Sequence, residues 1–416
     1  MTETVTEQAL AIQPIVDGHN DLPIASKYKR DYSVEGLDTG VPELHTDIPR
    51  LRAGGVGAQF WSLFVPSNTS EAEAVQATFE QIDFVHRLVK RYPDTFALAR
   101  TSAQVRSAIA DGKIASLLGI EGGYSLGSSP AILRIFAELG VRYVTLTHNS
   151  NTAWADSGTD SPHHHGLNEL GRDFIRELNA AGVLVDLSHT SPETMHAALD
   201  VSTAPVIFSH SGVRAVTDHP RNVPDDVLHR LPGNGGVLML TFVPTFVSAE
   251  YARWFDGGRE GTPPPAGIIE VADHVEYARK VVGIDHIGLG GDYDGYPALV
   301  DGLEDVSGYP RLLDELVHRG WTVDELVKLN GANILRVLDE ADASVRQWDG
   351  ASRTSGKAVY QSGRAEKRQS GGRIGETTGN YDADDMQAGA ENISCGELDP
   401  RRSETGGSQC AFGAGG

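Results

Sequence analysis

Short apolar runs recur along residues 15–292 of this chain, separated by longer segments of mixed polarity. Several are apolar at nearly every position, as at 183–187 (VLVDL), which is typical of strands buried on both faces of a parallel sheet. We therefore predict eight β-strands, at residues 15–19, 56–64, 114–121, 143–148, 183–189, 205–210, 236–242 and 286–292.

The segments between these runs carry helical periodicity and helix-start signals. In the segment 69–91, apolar residues such as Val75, Phe79 and Ile82 recur at helical spacing. Ser191 followed by Pro192 is a typical helix start, with a capping hydroxyl before a proline at the first helical position. Further helices are predicted at 130–139, 168–181, 268–282, 306–319, 322–329 and 332–338.

Alternation of strand and helix is typical of a parallel sheet covered by helices. Eight repeats in one chain favour closure into a (β/α)8 barrel of the TIM type over the alternative, an open doubly wound sheet. The longest irregular segments, 154–166 and 251–265, both follow predicted strands. On a barrel they lie over the open mouth, where loops determine substrate specificity.

The composition changes near residue 344, which divides the chain into a barrel domain at 1–343 and a tail at 344–416. Only six residues of this tail are Leu, Ile, Val or Phe, and fourteen are Gly. Such a segment buries too little apolar area to offset the entropy of ordering, so we expect a disordered, low-complexity tail. Both cysteines, Cys395 and Cys410, lie in it, which argues against thiol catalysis and a cysteine-based zinc site.

Charge and hydropathy restrict the partners of the chain. The formal net charge of −22 repels phosphate backbones, so we do not expect nucleic acid binding. Residues 1–14 do not resemble a signal peptide, and the sequence has no apolar stretch of about 18 residues. We expect a soluble, cytoplasmic protein that does not bind membranes.

Metal-binding side chains follow four of the predicted strands. They are three histidines, His19, His189 and His210, and two carboxylates, Asp21 and Glu121. Singly, each is more typical of a turn or a satisfied core residue. Strand ends of a parallel barrel converge on one face, however, so together they supply about the ligand set that two divalent ions need.

Glu121 is the natural bridge between two ions, because a carboxylate has one oxygen for each. Two ions about 3.5–4 Å apart can share a water and lower its pKa, which yields hydroxide at neutral pH. Zinc suits mixed histidine and carboxylate ligands best, although manganese and cobalt are compatible with the same ligands. We predict two zinc ions per chain.

Seven motifs in combination resemble the membrane (renal) dipeptidase family, the M19 metallopeptidases of the amidohydrolase superfamily. The resemblance extends from about residue 15 to residue 338. The motifs are DGHNDLP (17–23), GIEGG (119–123), LTHNSNTAWADS (146–157), VDLSH (185–189), FSHS (208–211), HPRNVPDDVL (219–228) and GLGGDYDG (288–295).

The resemblance implies a ligand arrangement and a reaction. His19 and Asp21 would bind one zinc, His189 and His210 the other, and Glu121 would bridge them. It further implies a dipeptidase in which a metal-bridging hydroxide attacks the peptide bond, with tolerance for a D residue at the C-terminal position. A homodimer is compatible with this expectation.

Three further residues receive roles from the same resemblance. His148 would bind the carbonyl oxygen of the scissile bond, and Arg221 would bind the substrate's terminal carboxylate. Asp292 would transfer the proton to the leaving amine, with Asp294 as the rival for this role. The histidine run 163–165 lies in a polar loop, and we interpret it as solvated rather than metal-binding.

Two other functions remain compatible with these residues. The same centre could open a cyclic amide or lactone, and Arg221 distinguishes this case because only a dipeptide needs a carboxylate-binding site. A non-catalytic binding protein could keep the scaffold but would be expected to lack some ligands, whereas here the set is complete. No lysine, the bridging residue of many amidohydrolases after carboxylation, occupies a predicted strand end, which favours Glu121 as the bridge.

Overall fold

The structure, a computed structural model, describes residues 3–345. Nine parallel strands form one sheet. Their bounds are β1 Ile15–Asn20, β2 Val56–Phe64, β3 Phe96–Leu98, β4 Ile114–Glu121, β5 Val141–Thr145, β6 Leu184–Asp186, β7 Ile207–Ser211, β8 Val237–Leu240 and β9 Ile287–Leu289.

Eight of these strands close into a barrel. Neighbours follow the order β2, β1, β9, β8, β7, β6, β5, β4, and direct pairing of β2 with β4 closes the ring. The short strand β3 pairs with the first three residues of β4, whereas β5 pairs with the end of β4. The predicted (β/α)8 barrel is therefore confirmed, and the open doubly wound sheet is excluded.

Helices cover the outside of the barrel and connect its strands. They are α1 Val5–Ile12, α2 Leu22–Arg30, α3 Ile48–Ala53, α4 Glu71–Arg91, α5 Ser102–Ala110, α6 Pro130–Leu139, α7 Glu169–Ala181, α8 Pro192–Val201, α9 Asp225–Leu228, α10 Leu231–Asn234, α11 Pro244–Val247, α12 Ala249–Asp256, α13 Ile268–Val282, α14 Tyr309–His318, α15 Val323–Val327 and α16 Asn333–Ser344. The helix-start signals act as predicted: the Ser191 side chain accepts a hydrogen bond from the Thr194 backbone and caps α8.

Two corrections concern segments for which sequence patterns are weak. The segment 251–265, predicted to be irregular, begins inside helix α12, which the Ser248 side chain caps. Strand β3 and several helices, α1 to α3, α5 and α9 to α12, were not predicted, because elements of three to nine residues carry few apolar positions from which to recognise a period. The last helix continues past the predicted end at residue 338 to Ser344.

A third correction concerns where the strands end. Strands β5, β6 and β9 end at Thr145, Asp186 and Leu289, three residues before the predicted ends. The residues next to these ends, 146, 147, 187, 188, 290 and 291, are all buried, so the loops over the barrel mouth continue the buried strands. His148, His189 and Asp292 therefore lie in loops and not at the last position of a strand.

Alternate residues of each strand divide the core into two layers. Within β2, Ala58 and Phe60 face the barrel interior, whereas Trp61 and Leu63 pack against the surrounding helices. Helix α16 packs against the interior layer at the end of the barrel opposite the candidate site. The barrel is thus a filled core, and its mouth is the place left for a ligand.

Two further predictions can be compared with the structure only for residues 3–345. Apart from residues 344 and 345, the predicted tail lies outside the described residues, so its disorder stays a prediction. Among residues 3–345, no helix combines the length and apolar character that a membrane span requires.

Candidate metal centre

The Glu121 carboxylate lies at the centre of a buried cluster at the barrel mouth. Its Oε1 is 3.0 Å from His189 Nε2 and 3.3 Å from His210 Nε2. Its Oε2 is 3.4 Å from His19 Nε2, and that nitrogen lies 3.1 Å from Asp21 Oδ2. Each oxygen of Glu121 thus faces a different pair of candidate ligands, and all five predicted metal residues are brought together.

Different local structures hold these five residues. Glu121 is the last residue of β4, while His19 lies near the end of β1 and His210 within β7. Asp21 directly follows β1 at the start of α2. His189 lies beyond β6 with a φ of 69°, in the left-handed region, where non-glycine residues are uncommon.

Backbone glycines permit the close packing beneath the cluster. A Cβ at Gly290 would lie 1.8 Å from the Ser209 carbonyl oxygen, so only glycine lets this loop approach β7. Gly122, directly after Glu121, has a φ of 87°, which turns the chain away from the site.

Buried contacts orient two of the imidazole rings. His19 Nδ1 lies 2.9 Å from the Tyr143 hydroxyl. His210 Nδ1 lies 2.8 Å from Ser209 Oγ, and that hydroxyl donates to Asp186 Oδ2 at 2.6 Å. Because the serine proton is used for Asp186, Ser209 accepts from His210 Nδ1, which leaves Nε2 free to bind a metal.

The electrostatics of the cluster suit divalent cations. Burial lowers the pKa of His189 and His210 well below the usual value, so both are neutral, the form that binds metal. Burial opposes ionisation of Glu121, but the His19 charge, together with hydrogen bonds from His189 and His19, holds its pKa well below the usual value. Asp21 Oδ1 is buried with no hydrogen-bond partner among the described residues. An anionic bridge, neutral imidazoles and an unpaired carboxylate oxygen together fit a metal centre.

His148 lies at the border of the cluster and shares a potential metal-ligand group with Glu121 and His189. Its Nε2 is 4.0 Å from Glu121 Oε1, and its ring packs against the rings of Phe64 and His189. Burial lowers the pKa of His148 to about 4, so the ring is a neutral hydrogen-bond donor at physiological pH.

Asp292 and Asp294, the two rivals, have different surroundings. Asp292 shares a potential metal-ligand group with His19 and His210, and burial raises its pKa to about 8 in the metal-free cluster. Asp294 points elsewhere: its Oδ1 accepts from the His45 backbone N–H at 2.7 Å. The structure therefore brings Asp292, and not Asp294, to the cluster.

Arg221 carries a buried guanidinium with few contacts. It is 3 % exposed, its Nη2 donates to the His210 carbonyl at 3.4 Å, and the group stacks 5.0 Å from the Phe246 ring. Nε and Nη1 have no partner within residues 3–345. Burial lowers the pKa of Arg221 to about 10, so it remains cationic. An unpaired cation of this kind is suited to an anionic ligand.

Two residues that sequence reasoning missed fix the loop 154–166. The Asp156 carboxylate accepts hydrogen bonds from the backbone amides of His163, His164 and Gly166. Ser157 Oγ donates to the His148 carbonyl at 2.6 Å. Both residues lie in the motif at 146–157, which also contains His148. Their place in this motif was the signal from which a supporting role could have been predicted. The histidine run 163–165 belongs to no potential metal group among the described residues.

Comparison with known proteins gives sequence relatives across the same region. A dipeptidase of Schizosaccharomyces pombe is 46 % identical over 338 residues, covering 78 % of this chain and 80 % of the relative. Dipeptidase verJ of Clonostachys rogersoniana is 42 % identical over 345 residues, covering 80 % and 85 %.

Solved structures share the fold. A metallopeptidase from Rhodobacter sphaeroides, crystallised with a phosphinate mimic of the dipeptide L-Ala-D-Ala, superposes with a TM-score of 0.72 at 24 % identity, covering 79 % of this chain and 99 % of that one. The probable dipeptidase PvdM of Pseudomonas aeruginosa gives a TM-score of 0.74 at 23 % identity, covering 82 % and 99 %.

A sequence model of one family spans the barrel and its candidate site. It matches residues 5–351, which include all the residues of the cluster described above. The chain therefore belongs to the membrane dipeptidase family, peptidase family M19.

Proposed function

We propose that this protein is a dipeptidase that uses two zinc ions to hydrolyse the peptide bond of dipeptides. The observation that carries the proposal is that the two oxygens of the Glu121 carboxylate face two different pairs of buried ligands. Relatives at 42 % and 46 % identity are named dipeptidases, which supports the same substrate class here.

The arrangement of ligands around the two Glu121 oxygens indicates which residues would hold each ion. His19 and Asp21 would hold one ion, His189 and His210 the other, and Glu121 both. When bound, the two ions supply Lewis acidity and lower the pKa of a coordinated water. Ligand chemistry favours zinc, with manganese and cobalt as the metals to compare.

Arg221 would select substrates that carry a free carboxylate. Its buried guanidinium is planar, and two of its nitrogens, Nε and Nη1, have no partner among the described residues, so it has N–H donors available for a carboxylate. A cyclic amide or lactone has no need for such a group, so this residue favours a dipeptide over these alternatives. A related barrel binds a mimic of L-Ala-D-Ala, which supports tolerance for a D residue at the C-terminal position.

Two further side chains would act on the reacting bond. The neutral His148 imidazole would donate a hydrogen bond to the carbonyl oxygen as negative charge develops there. Asp292 would accept the proton released as water adds to the carbonyl and would return it to the departing amine. Nearby divalent cations would lower the Asp292 pKa from its metal-free value, which suits a group that first accepts a proton.

The test combines metal analysis with a substrate screen. The purified protein should contain about two zinc ions per chain, and it should release amino acids from L,L and L,D dipeptides. Removal of metal by a chelator should abolish this activity, and added zinc should restore it. A metal content near zero after gentle purification, or hydrolysis of lactones but of no dipeptide, would contradict the proposal.

Variants of Arg221 test substrate selection. Arg221→Ala should raise KM for free dipeptides roughly 10- to 100-fold, because a charged hydrogen-bonded pair is lost. Arg221→Lys should have an intermediate effect, since lysine keeps the charge without the planar fork. Unchanged dipeptide kinetics in Arg221→Ala would remove the assigned role.

A further inference from the structure

A second buried histidine, His274, lies outside the candidate metal centre on helix α13. It is completely buried, and its Nδ1 accepts a hydrogen bond from the Val213 backbone N–H at 2.9 Å. Since a backbone N–H only donates, the ring proton is on Nε2, which lies 3.3 Å from Thr217 Oγ1. Burial lowers the pKa of His274 to about 4, in agreement with this neutral form.

Two partners of His274, Val213 and Thr217, belong to the loop 212–223, which connects β7 with α9 and carries Arg221. The backbone of Val247, at the end of α11, is a third partner. The two ends of the loop pair through a bridge between Val213 and Val223. The Thr217 hydroxyl also donates to the Val247 carbonyl at 3.1 Å, so it is available as an acceptor for His274 Nε2–H. The imidazole thus ties one end and the middle of the loop to helix α13.

Bonds within the loop connect this attachment to Arg221. The side chain of Asn222 accepts from the Gly212 N–H at 3.0 Å and donates to the Thr217 carbonyl at 2.9 Å. It also donates to the carbonyl of Phe246, in α11, at 2.7 Å. A shift at Thr217 therefore moves Asn222 and, with it, the neighbouring Arg221.

The Arg221 side chain depends on its backbone for its position. It has one long hydrogen bond, to the His210 carbonyl, and a stacking contact with Phe246. Within the described part of the chain no carboxylate forms an ion pair with it, and two of its nitrogens lack partners. A guanidinium that is not located by an ion pair keeps its place only if the loop beneath it is fixed.

We propose that His274 is a positioning residue for recognition of the substrate carboxylate. It fixes the loop 212–223 so that the unpaired guanidinium of Arg221 is held ready at the barrel mouth. This inference rests on the proposed dipeptidase function and adds to it a residue that does not touch the substrate. Loss of the His274 contacts impairs substrates that bind through a carboxylate and spares those that lack one.

The decisive variant is His274→Phe, which keeps an aromatic ring of similar size and removes the hydrogen bonds of the imidazole. KM for a free L,L dipeptide should rise about tenfold, the effect of losing roughly one hydrogen bond. The kcat should stay within about twofold and the metal content should be unchanged. For the C-terminal amide of the same dipeptide, kcat/KM should match that of the unmodified enzyme.

Two variants separate positioning from general destabilisation. Val275→Ala alters the adjacent buried residue of α13, which belongs to the apolar core. It should lower the melting temperature and leave the ratio of acid to amide hydrolysis unchanged. His274→Asn, whose Oδ1 can replace Nδ1 as the acceptor for the Val213 N–H, should recover part of the binding. If His274→Phe does not fold, Thr217→Val should show a smaller rise in KM of the same kind.

Hydrogen exchange tests the inference independently of catalysis. In His274→Phe, amide protection should fall in peptides covering 212–223 and persist in β7 and α13. Unchanged protection there, or an equal loss of acid and amide hydrolysis, would overturn the positioning role. Failure of the unmodified enzyme to cleave any dipeptide would instead contradict the proposed function, and the exchange result would still show whether His274 fixes the loop.

Discussion

The residues of the candidate site fall into two groups that differ in what holds them. His19, Glu121 and His210 lie within strands. Glu121 pairs with Phe64 and Thr145, whereas His19 and His210 lie at irregularities of the ladder, between residues that are paired with neighbouring strands. His148, His189 and Asp292 each lie three residues beyond a strand end. The comparison teaches that half of the site is positioned by the barrel itself and half by side-chain contacts made within loops.

The loop-held group depends on a small number of hydrogen bonds. Ser157 Oγ lies 2.6 Å from the His148 carbonyl and 3.2 Å from the His189 carbonyl, so one hydroxyl connects two of these loops. His189 and Asp292 also have positive φ values, 69° and 62°. Residues in this region persist only where surrounding contacts determine the backbone. The loop-held group is therefore positioned by contacts that single substitutions can remove.

The largest effect is expected at the strand-held centre, for Glu121→Gln. An amide carries no negative charge and turns one N–H₂ group towards a pair of candidate ligands. The metal content should fall below about one ion per chain, and kcat/KM should fall about 1,000-fold or more. Metal analysis and steady-state kinetics measure both. Glu138→Gln, at an exposed residue of α6, is the matched control. Retention of two ions and near-normal activity would break the assignment of Glu121 as the bridge.

The second-largest effect is expected for a loop-held residue, Asp292. Asp292→Asn should lower kcat about 100- to 10,000-fold, because the asparagine amide cannot carry the proton, while folding is preserved. Asp294→Asn is the control, since asparagine Oδ1 can still accept the His45 N–H. Its kcat should stay close to that of the unmodified enzyme. If Asp294→Asn lost as much activity as Asp292→Asn, the choice between the two carboxylates would be wrong.

A smaller effect is expected when one strand-held residue, His210, loses the hydrogen bond that orients its imidazole ring. Ser209→Ala removes the hydroxyl between His210 Nδ1 and Asp186. Affinity for one of the two metal ions should fall about 10- to 100-fold, measured by titration of the metal-free protein with zinc. Ser116→Ala, at another buried serine of the barrel with no partner among the described residues, should leave both affinities unchanged. Equal effects of the two variants would show that the Ser209 contact does not orient the metal-binding ring.

The smallest effect is expected for the hydroxyl that connects two loops. Ser157→Ala should lower kcat about tenfold or less and reduce the free energy of unfolding by about 1 kcal/mol, the usual contribution of one hydrogen bond. Kinetics and thermal unfolding test this, with the exposed Ser161→Ala in the same loop as the control. A variant indistinguishable from the control would show that the loop-held residues are fixed by other contacts.

Much of the fold was predictable because its signals are local and repeated. Long helices such as α4, α6 and α13 follow from periodicity over ten or more residues, and the predicted bounds of α6 and α13 agree with the structure. Helix α12 and strand β3 did not follow, since a short element depends more on its neighbours than on its own pattern.

The residues of the candidate site also differ in how far they could be predicted from the sequence. The motifs contain every candidate metal ligand that the structure brings together around Glu121, so these were readable from the chain. Ser62, whose hydroxyl donates to Glu121 Oε2 at 3.1 Å, lies outside the motifs and was not predicted. The roles of supporting residues were not readable in the same way. Asp186 and Ser209 lie in the motifs, but only the structure shows their contact across 23 residues; His274 lies outside the motifs and binds Val213, 61 residues away.

The sequence by itself determined which side chains belong at the barrel mouth, because parallel strands of a closed barrel bring their carboxyl ends to one face. Only the tertiary structure decided how they meet. It assigned the two Glu121 oxygens to different ligand pairs, separated Asp292 from Asp294, and buried Arg221 without an ion pair to any residue of 3–345. These outcomes depend on loop conformations, and loops are fixed by contacts between distant segments that no local pattern records.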